Sequence, residues 1–168
     1  MAFDPLPTTD EPGQTGPSGS QAPSSSGVSH KFVSFYLGEK HYATPAHSVA
    51  EVVGHLTPTR LPDAPAALLG IAPLRGDILA VVDAGASTAP VQGSKQKAVV
   101  LRPNGRAVEV PVAFNVDRLG ELLQLDPADI HYSEQGDTLA EFESTVGGKC
   151  VLIIEPARIQ NLLSPTDQ

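Results

Sequence analysis

Gly76-Asp77-Ile78-Leu79-Ala80-Val81-Val82-Asp83 returns later in the chain as Gly148-Lys149-Cys150-Val151-Leu152-Ile153-Ile154-Glu155. Each copy is a turn glycine, a short apolar run and an acid, the pattern of a strand buried on both faces. A second pattern precedes each copy. Val49-x-Glu51-Val52-Val53 stands before the first and Leu119-x-Glu121-Leu122-Leu123 before the second. Glu51 lies 25 residues ahead of Gly76, and Glu121 lies 27 ahead of Gly148. Each half also opens with a hairpin, turning at Gly38 and at Gly105. Two patterns in the same order at nearly equal spacing point to an internal duplication. The expectation is two similar barrels of about 55–65 residues, each marginal alone and therefore packed through a shared apolar seam. The halves are placed at 31–85 and 96–163, bridged by the small, polar stretch 84–96 (AGASTAPVQGSKQ).

Between these landmarks the chain reads as short strands. FVSFYL (32–37) turns at Gly38-Glu39-Lys40 into HYAT (41–44). AVVLR (98–102) meets Pro103-Asn104-Gly105, whose Asn-Gly favours a hairpin turn, and AVEVPV (107–112) returns. Gly147-Gly148 offers another turn between FESTV and KCVLII. Helical signals are few: Asp126 with Pro127 caps a short turn, and Ile159, Leu162 and Leu163 share a face after Pro156. The fold class is mainly β, without the regular strand–helix alternation of an α/β enzyme.

Residues 1–29 differ from all the rest, with five Pro, four Gly, six Ser, three acids and no Lys or Arg. Such a stretch buries too little apolar surface to offset its conformational entropy, and it reads as a disordered tail before a domain at 31–163. The whole chain of 168 residues carries a net charge of −8, and the domain holds all eleven bases. That balance excludes binding of nucleic acid through phosphate contacts. No apolar run reaches the roughly 20 residues of a membrane span, and the first residues have no signal-peptide pattern, so a cytoplasmic protein without direct membrane insertion is expected.

Chemistry is mostly missing. There is no glycine-rich phosphate loop, and the five His make no metal-binding pair, so neither a metal nor another cofactor is expected. Gly85-Ala86-Ser87-Thr88-Ala89 lacks the closing glycine of a nucleophile elbow. Cys150, the single cysteine, sits in an apolar pattern and reads as a small buried hydrophobe. The chain is therefore expected not to be an enzyme. Between Arg118 and Lys149 run seven acids and no base: Glu121, Asp126, Asp129, Glu134, Asp137, Glu141 and Glu143. They read as a solvated face, or alternatively as a docking surface for a basic partner.

The segment 32–83 resembles the CheW-like domain of bacterial chemotaxis. It carries F-x-x-F-x-L-G (Phe32, Phe35, Leu37, Gly38), S-V-A-E-V-V with Val49, Glu51 and Val52, T-P-T-R-L-P (57–62), and G-I-x-x-L-R-G (Gly70, Ile71, Leu74, Arg75, Gly76). N-V-D-R-L-G-E-L-L-Q-L (115–125) and the terminal V-L-I-I-E-P extend the likeness over about 130 residues of the chain. The resemblance implies two five-stranded, SH3-like β-barrels around a common hydrophobic core. It also implies an adaptor that couples a chemoreceptor (methyl-accepting chemotaxis protein) signalling tip to the regulatory domain of a CheA-type histidine kinase, at membrane-associated receptor arrays. Val49 and Glu51 then fall at groove positions, and Leu74, Arg75 and Gly76 form the adjoining turn, with Arg75 paired to Glu51 and pinning the turn to a short helix. Pro73, Ala80, Ala84, Ala113, Ser144 and Asn115 depart from the usual pattern, Asn115 replacing a buried aliphatic. Those departures suit an adaptor in a surface-motility or type IV pilus system. The alternative is a divergent regulatory module that no longer engages a kinase and docks another partner through its acidic second half.

Overall fold

The computed structural model describes residues 30–85, 96–103 and 110–163. The expected tail, most of the expected bridge and the Asn104-Gly105 turn lie outside the described residues. Among the described residues, eleven strands form two sheets: β1 (His30–Leu37), β2 (Lys40–Pro45), β3 (Val49–Gly54), β4 (Leu68–Leu74), β5 (Asp77–Val82), β6 (Lys97–Leu101), β7 (Val112–Val116), β8 (Arg118–Leu125), β9 (His131–Tyr132), β10 (Phe142–Val146) and β11 (Lys149–Ile153). A short helix, α1 (Pro156–Asn161), follows Glu155 with Pro156 in its first turn. The expected cap at Asp126 is present, its side chain accepting from the Ala128 N–H. The fold is mainly β, as read from the sequence.

The sheet order shows how the duplication is built. One sheet runs β8-β1-β2-β11-β10-β9, and the other runs β3-β6-β7-β5-β4. Matching β8 to β3, β1 to β6, β2 to β7, β11 to β5 and β10 to β4 reproduces one order in both. The parallel pairs match as well, β11 with β2 and β5 with β7. The repeat therefore exists in the topology, but the sheets do not coincide with the sequence halves 31–85 and 96–163. Each half contributes its opening hairpin to the other half's sheet. A 3-10 turn at Ala46–Ser48 carries the chain across after β2, and the single residue Asp117 does so after β7. The physical gain is that each hairpin becomes interior to a sheet, paired on both sides, where an isolated two-stranded hairpin would be marginal.

Leu101 pairs with Val112, so the described strand beside β6 is VAFNV (112–116). The Asn104-Gly105 turn and the start of the expected strand AVEVPV (107–112) lie outside the described residues. All five residues of β7 are buried.

Period-two alternation sorts the side chains into three apolar layers. Phe32, Ala43, Leu123, Leu125, Val151 and Ile153 fill the first barrel. Leu79, Val81, Ala98, Val100 and Ala113 fill the second. The seam between barrels holds Phe35, Tyr42, Val99, Phe114, Leu152, Ile154 and Ile159. There the Phe35 and Phe114 rings meet at 5.3 Å and 57°, a tilted geometry that aromatic pairs favour. α1 closes the seam from one side, with Ile159 buried and Leu162 and Leu163 packed against it.

If the two repeats are interlocked in this way, cutting the backbone between β5 and β6 should not release them. With a protease site placed in 86–95, the cleaved halves are expected to elute together and keep their β-sheet spectrum. They should melt at a midpoint that rises with protein concentration. Separation of a folded half would contradict the exchanged topology.

Candidate functional site

Leu74 and Asp77 are paired across the β4–β5 hairpin, leaving Arg75 and Gly76 as a two-residue turn. Both have positive φ, +51° at Arg75 and +94° at Gly76, which matches the twist of tight hairpins. Glycine adopts that region freely, whereas arginine there costs about 1 kcal/mol. Arg75 Nη2 lies 3.0 Å from Glu51 Oε2, so the expected ion pair forms.

The local reason Glu51 reaches Arg75 is a β-bulge. Val49 faces Leu101 and Glu51 faces the next residue, Val100, so Ala50 is the extra residue. Without the bulge Val49 and Glu51 would point to one side. With it, Val49 enters the seam and Glu51 turns out to the hairpin. Glu51 is thus in a strand, not in the short helix expected from the resemblance. β3 and β4 are the two outer strands of their sheet, so the pair ties its first strand to its last.

The candidate residues therefore come together in part. Glu51, Arg75 and Gly76 form one exposed corner, Leu74 packs into the second barrel, and Val49 lies in the seam. Beside the turn stands Ile78, 58% exposed, a large apolar residue the sequence reading had buried. Leu119 and Leu122 on β8 are exposed too, although they match Val49 and Val52 in the repeat. The corner is thus one ion pair beside an exposed apolar side chain, Ile78. Among the described residues no group of His, Cys, Asp and Glu could hold a metal ion.

The acid run is largely absorbed by local structure. Asp137 accepts from Lys40 Nζ and Tyr42 Oη, each at 2.9 Å, and from the Leu139 and Ala140 N–H groups. Glu141 pairs with Arg158, and Glu143 accepts from Ser133 Oγ at 2.7 Å. Burial works to raise the Asp137 pKa, but the hydrogen bonds from Lys40, Leu139 and Tyr42 prevail and hold it below the usual value. A depressed carboxylate stabilises the fold above its unfolded pKa, and that contribution is lost as pH falls through the folded pKa. Asp137→Asn is therefore expected to cost about 1–2 kcal/mol at pH 7. The gap from wild type should shrink well below pH 3.8 in paired thermal melts. Cys150 corrects another reading. It is exposed, because its partner Thr145 is only one pair from the Gly147-Gly148 turn, at the barrel rim.

Comparison with known proteins follows from this geometry. The CheW-like domain family matches residues 31–162. A curated relative, a chemotaxis protein CheW of Helicobacter pylori (strain ATCC 700392 / 26695), is 28% identical over 103 residues, 60% of this chain and 60% of the relative. The chain thus matches less than two thirds of that relative's length. Among solved structures, the scaffolding protein TtCheW from Thermoanaerobacter tengcongensis superposes with a TM-score of 0.64 at 24% identity. That match covers 76% of this chain and 89% of the other, and it speaks for the fold.

Proposed function

The chain belongs to the CheW-like domain family, and from that membership we propose that it is a non-enzymatic chemotaxis adaptor, holding a chemoreceptor signalling tip to the regulatory domain of a CheA-type histidine kinase. The corner made by Glu51, Leu74, Arg75 and Gly76 is the contact surface in this reading, with Val49 bracing it from the seam. One observation carries it. Arg75 occupies a backbone conformation costing about 1 kcal/mol. Its ion pair with Glu51 is worth about 1 kcal/mol or less, since the Arg75 side chain is 75% exposed. The two roughly cancel, so stability gives no reason for arginine at this turn. Strain held at an exposed position is characteristic of binding sites.

The test separates binding from folding. Arg75→Gly relieves the strained φ while deleting the guanidinium, so its melting temperature is expected to stay within about 3 °C of wild type. Its affinity for a receptor-tip fragment or a kinase regulatory domain, measured by titration calorimetry, is expected to fall at least about tenfold, since an arginine contact at an interface centre is worth over 1 kcal/mol. Unchanged affinity would remove Arg75 from the contact surface. If the wild-type chain binds neither partner at tens of micromolar, the adaptor reading itself fails.

A further inference from the structure

The open end of the first barrel is a second place where the sequence and the fold disagree in character. Here β8 carries its own bulge: Val33 faces Leu122 and Phe35 faces Leu119, so two residues, Gly120 and Glu121, stand against Ser34. The bulge brings Arg118 opposite Tyr36, which in turn faces His41 on β2. The His41 ring stacks on Tyr36 at 4.3 Å and 2°, and the Arg118 guanidinium carbon lies 3.5 Å from the Tyr36 ring centroid. Three planar groups from three adjacent strands thus form one wall. Gly120 is needed for it, because a Cβ there would lie 2.2 Å from Ser34 Oγ and 3.2 Å from His41 Nε2.

Two clefts open on this wall, of about 510 and 570 Å³, and both are lined by Tyr36, His41, Arg118 and Lys149. Lys40, Gln135 and Cys150 are among the further residues lining the first. Three of the chain's eleven basic residues therefore converge on the mouth of a protein whose net charge is −8. Lys40 is already tied to Asp137, but Arg118 and Lys149 make no ion pair among the described residues. Glu39 and Glu121 also line the clefts, and Glu143 lies behind, bonded to Ser133 and Gln135. Burial, then Arg118 and Lys149, lower the His41 pKa, and Glu121 opposes them. Its Nε2 is buried without a hydrogen-bond partner.

We propose that this mouth binds a small phosphate-bearing molecule, its phosphoryl oxygens held by Arg118 and Lys149 beside the Tyr36–His41 wall. A guanidinium fixed by stacking presents its N–H edge without further ordering, and an adjacent ammonium adds a second charge, the combination that recognises phosphate. The clefts are too large for a bare ion and suit a ligand of metabolite size. The site is separate from the Glu51–Arg75 corner, in the other sheet, and stands whether or not that corner binds a kinase.

The experiment uses the full chain in low-salt buffer, titrated with inorganic phosphate and with phenyl phosphate while amide and histidine ring resonances are followed by NMR. Saturable shifts are expected at residues 36–41, 118–121 and 149–150, with phenyl phosphate binding more tightly through the aromatic wall. By linkage, the bound anion should raise the His41 pKa. Lys149→Gln and Arg118→Gln should each weaken binding at least about tenfold, while Arg75→Gly should leave it unchanged. Lys149 is exposed at a strand end, so its variant stays informative if Arg118→Gln disturbs the stack. The proposal is overturned if sodium chloride at matched ionic strength gives the same shifts, if the shifts do not saturate, or if Lys149→Gln binds like wild type.

Discussion

Gly70→Ala is expected to destabilise the protein by about 3–5 kcal/mol, a loss large enough to lower its melting temperature by roughly 10 °C or more. Gly70 has φ +146°, and a Cβ there would fall 2.1 Å from the Thr59 carbonyl oxygen and 2.6 Å from its carbon. These are backbone atoms and cannot swing aside. They belong to the segment after β3 that seals the second barrel, through Thr59 N–H to Ile71 O at 2.8 Å and Ile71 N–H to Thr59 O at 2.9 Å. Making room means giving up both bonds, and the bulge between Leu68 and Gly70 is where the strand is shaped to form them. Gly54→Ala is the matched control, since nothing lies within 4 Å of a Cβ there. It should melt within about 3 °C of wild type. Equal melting of the two variants would refute the account.

Asn115→Ala should rank next, at about 2–4 kcal/mol. The Asn115 side chain behaves as a piece of strand. Its Oδ1 accepts from the Leu56 N–H and its Nδ2 donates to the Leu56 carbonyl, each at 3.0 Å. Both groups are buried, and removing one partner from a buried polar group costs about 1–3 kcal/mol. Asn115→Leu restores the aliphatic usual at this place and fills the volume, but it leaves the same two Leu56 groups unpaired. Chemical denaturation should therefore find both variants destabilised, with unchanged m-values. A leucine variant as stable as wild type would show that Leu56 finds other partners.

These two positions also mark how far the sequence could be read. The β1–β2 and β10–β11 hairpins were legible because the turn chemistry and the alternation are local, whereas of the β4–β5 hairpin only the strand near 78–83 was read from the residues and the Leu74-Arg75-Gly76 turn from the resemblance. The duplication was legible because Val49–Val53 and Leu119–Leu123 keep one apolar-x-Glu-apolar-apolar pattern; that each segment also carries a bulge was not. What stayed hidden were pairings without local signature. Nothing near β1 says that its second neighbour is β8, and nothing near β6 says that β3 will lie beside it. Ala50 is as unremarkable in sequence as any strand alanine, yet as the bulge residue it turns Glu51 toward Arg75. Asn115 was visible only as a departure from a family pattern, since its partners are main-chain groups, which leave no mark in composition. The same holds for the acid run: spacing counted its charges but could not show Asp137 satisfied from four sides.

The exchange of hairpins has a consequence in time. A ribosome delivers β1 and β2 first, yet Ser34 must wait for Glu121, 87 residues later, and Thr44 for Ile154, 110 residues later. At about 5–20 residues per second that interval is roughly 5–20 s, during which the first hairpin has neither outer neighbour. The second barrel, β3 to β7, has all its strands once residue 116 has emerged. The first barrel and the seam can close only in a late step, when β11 emerges.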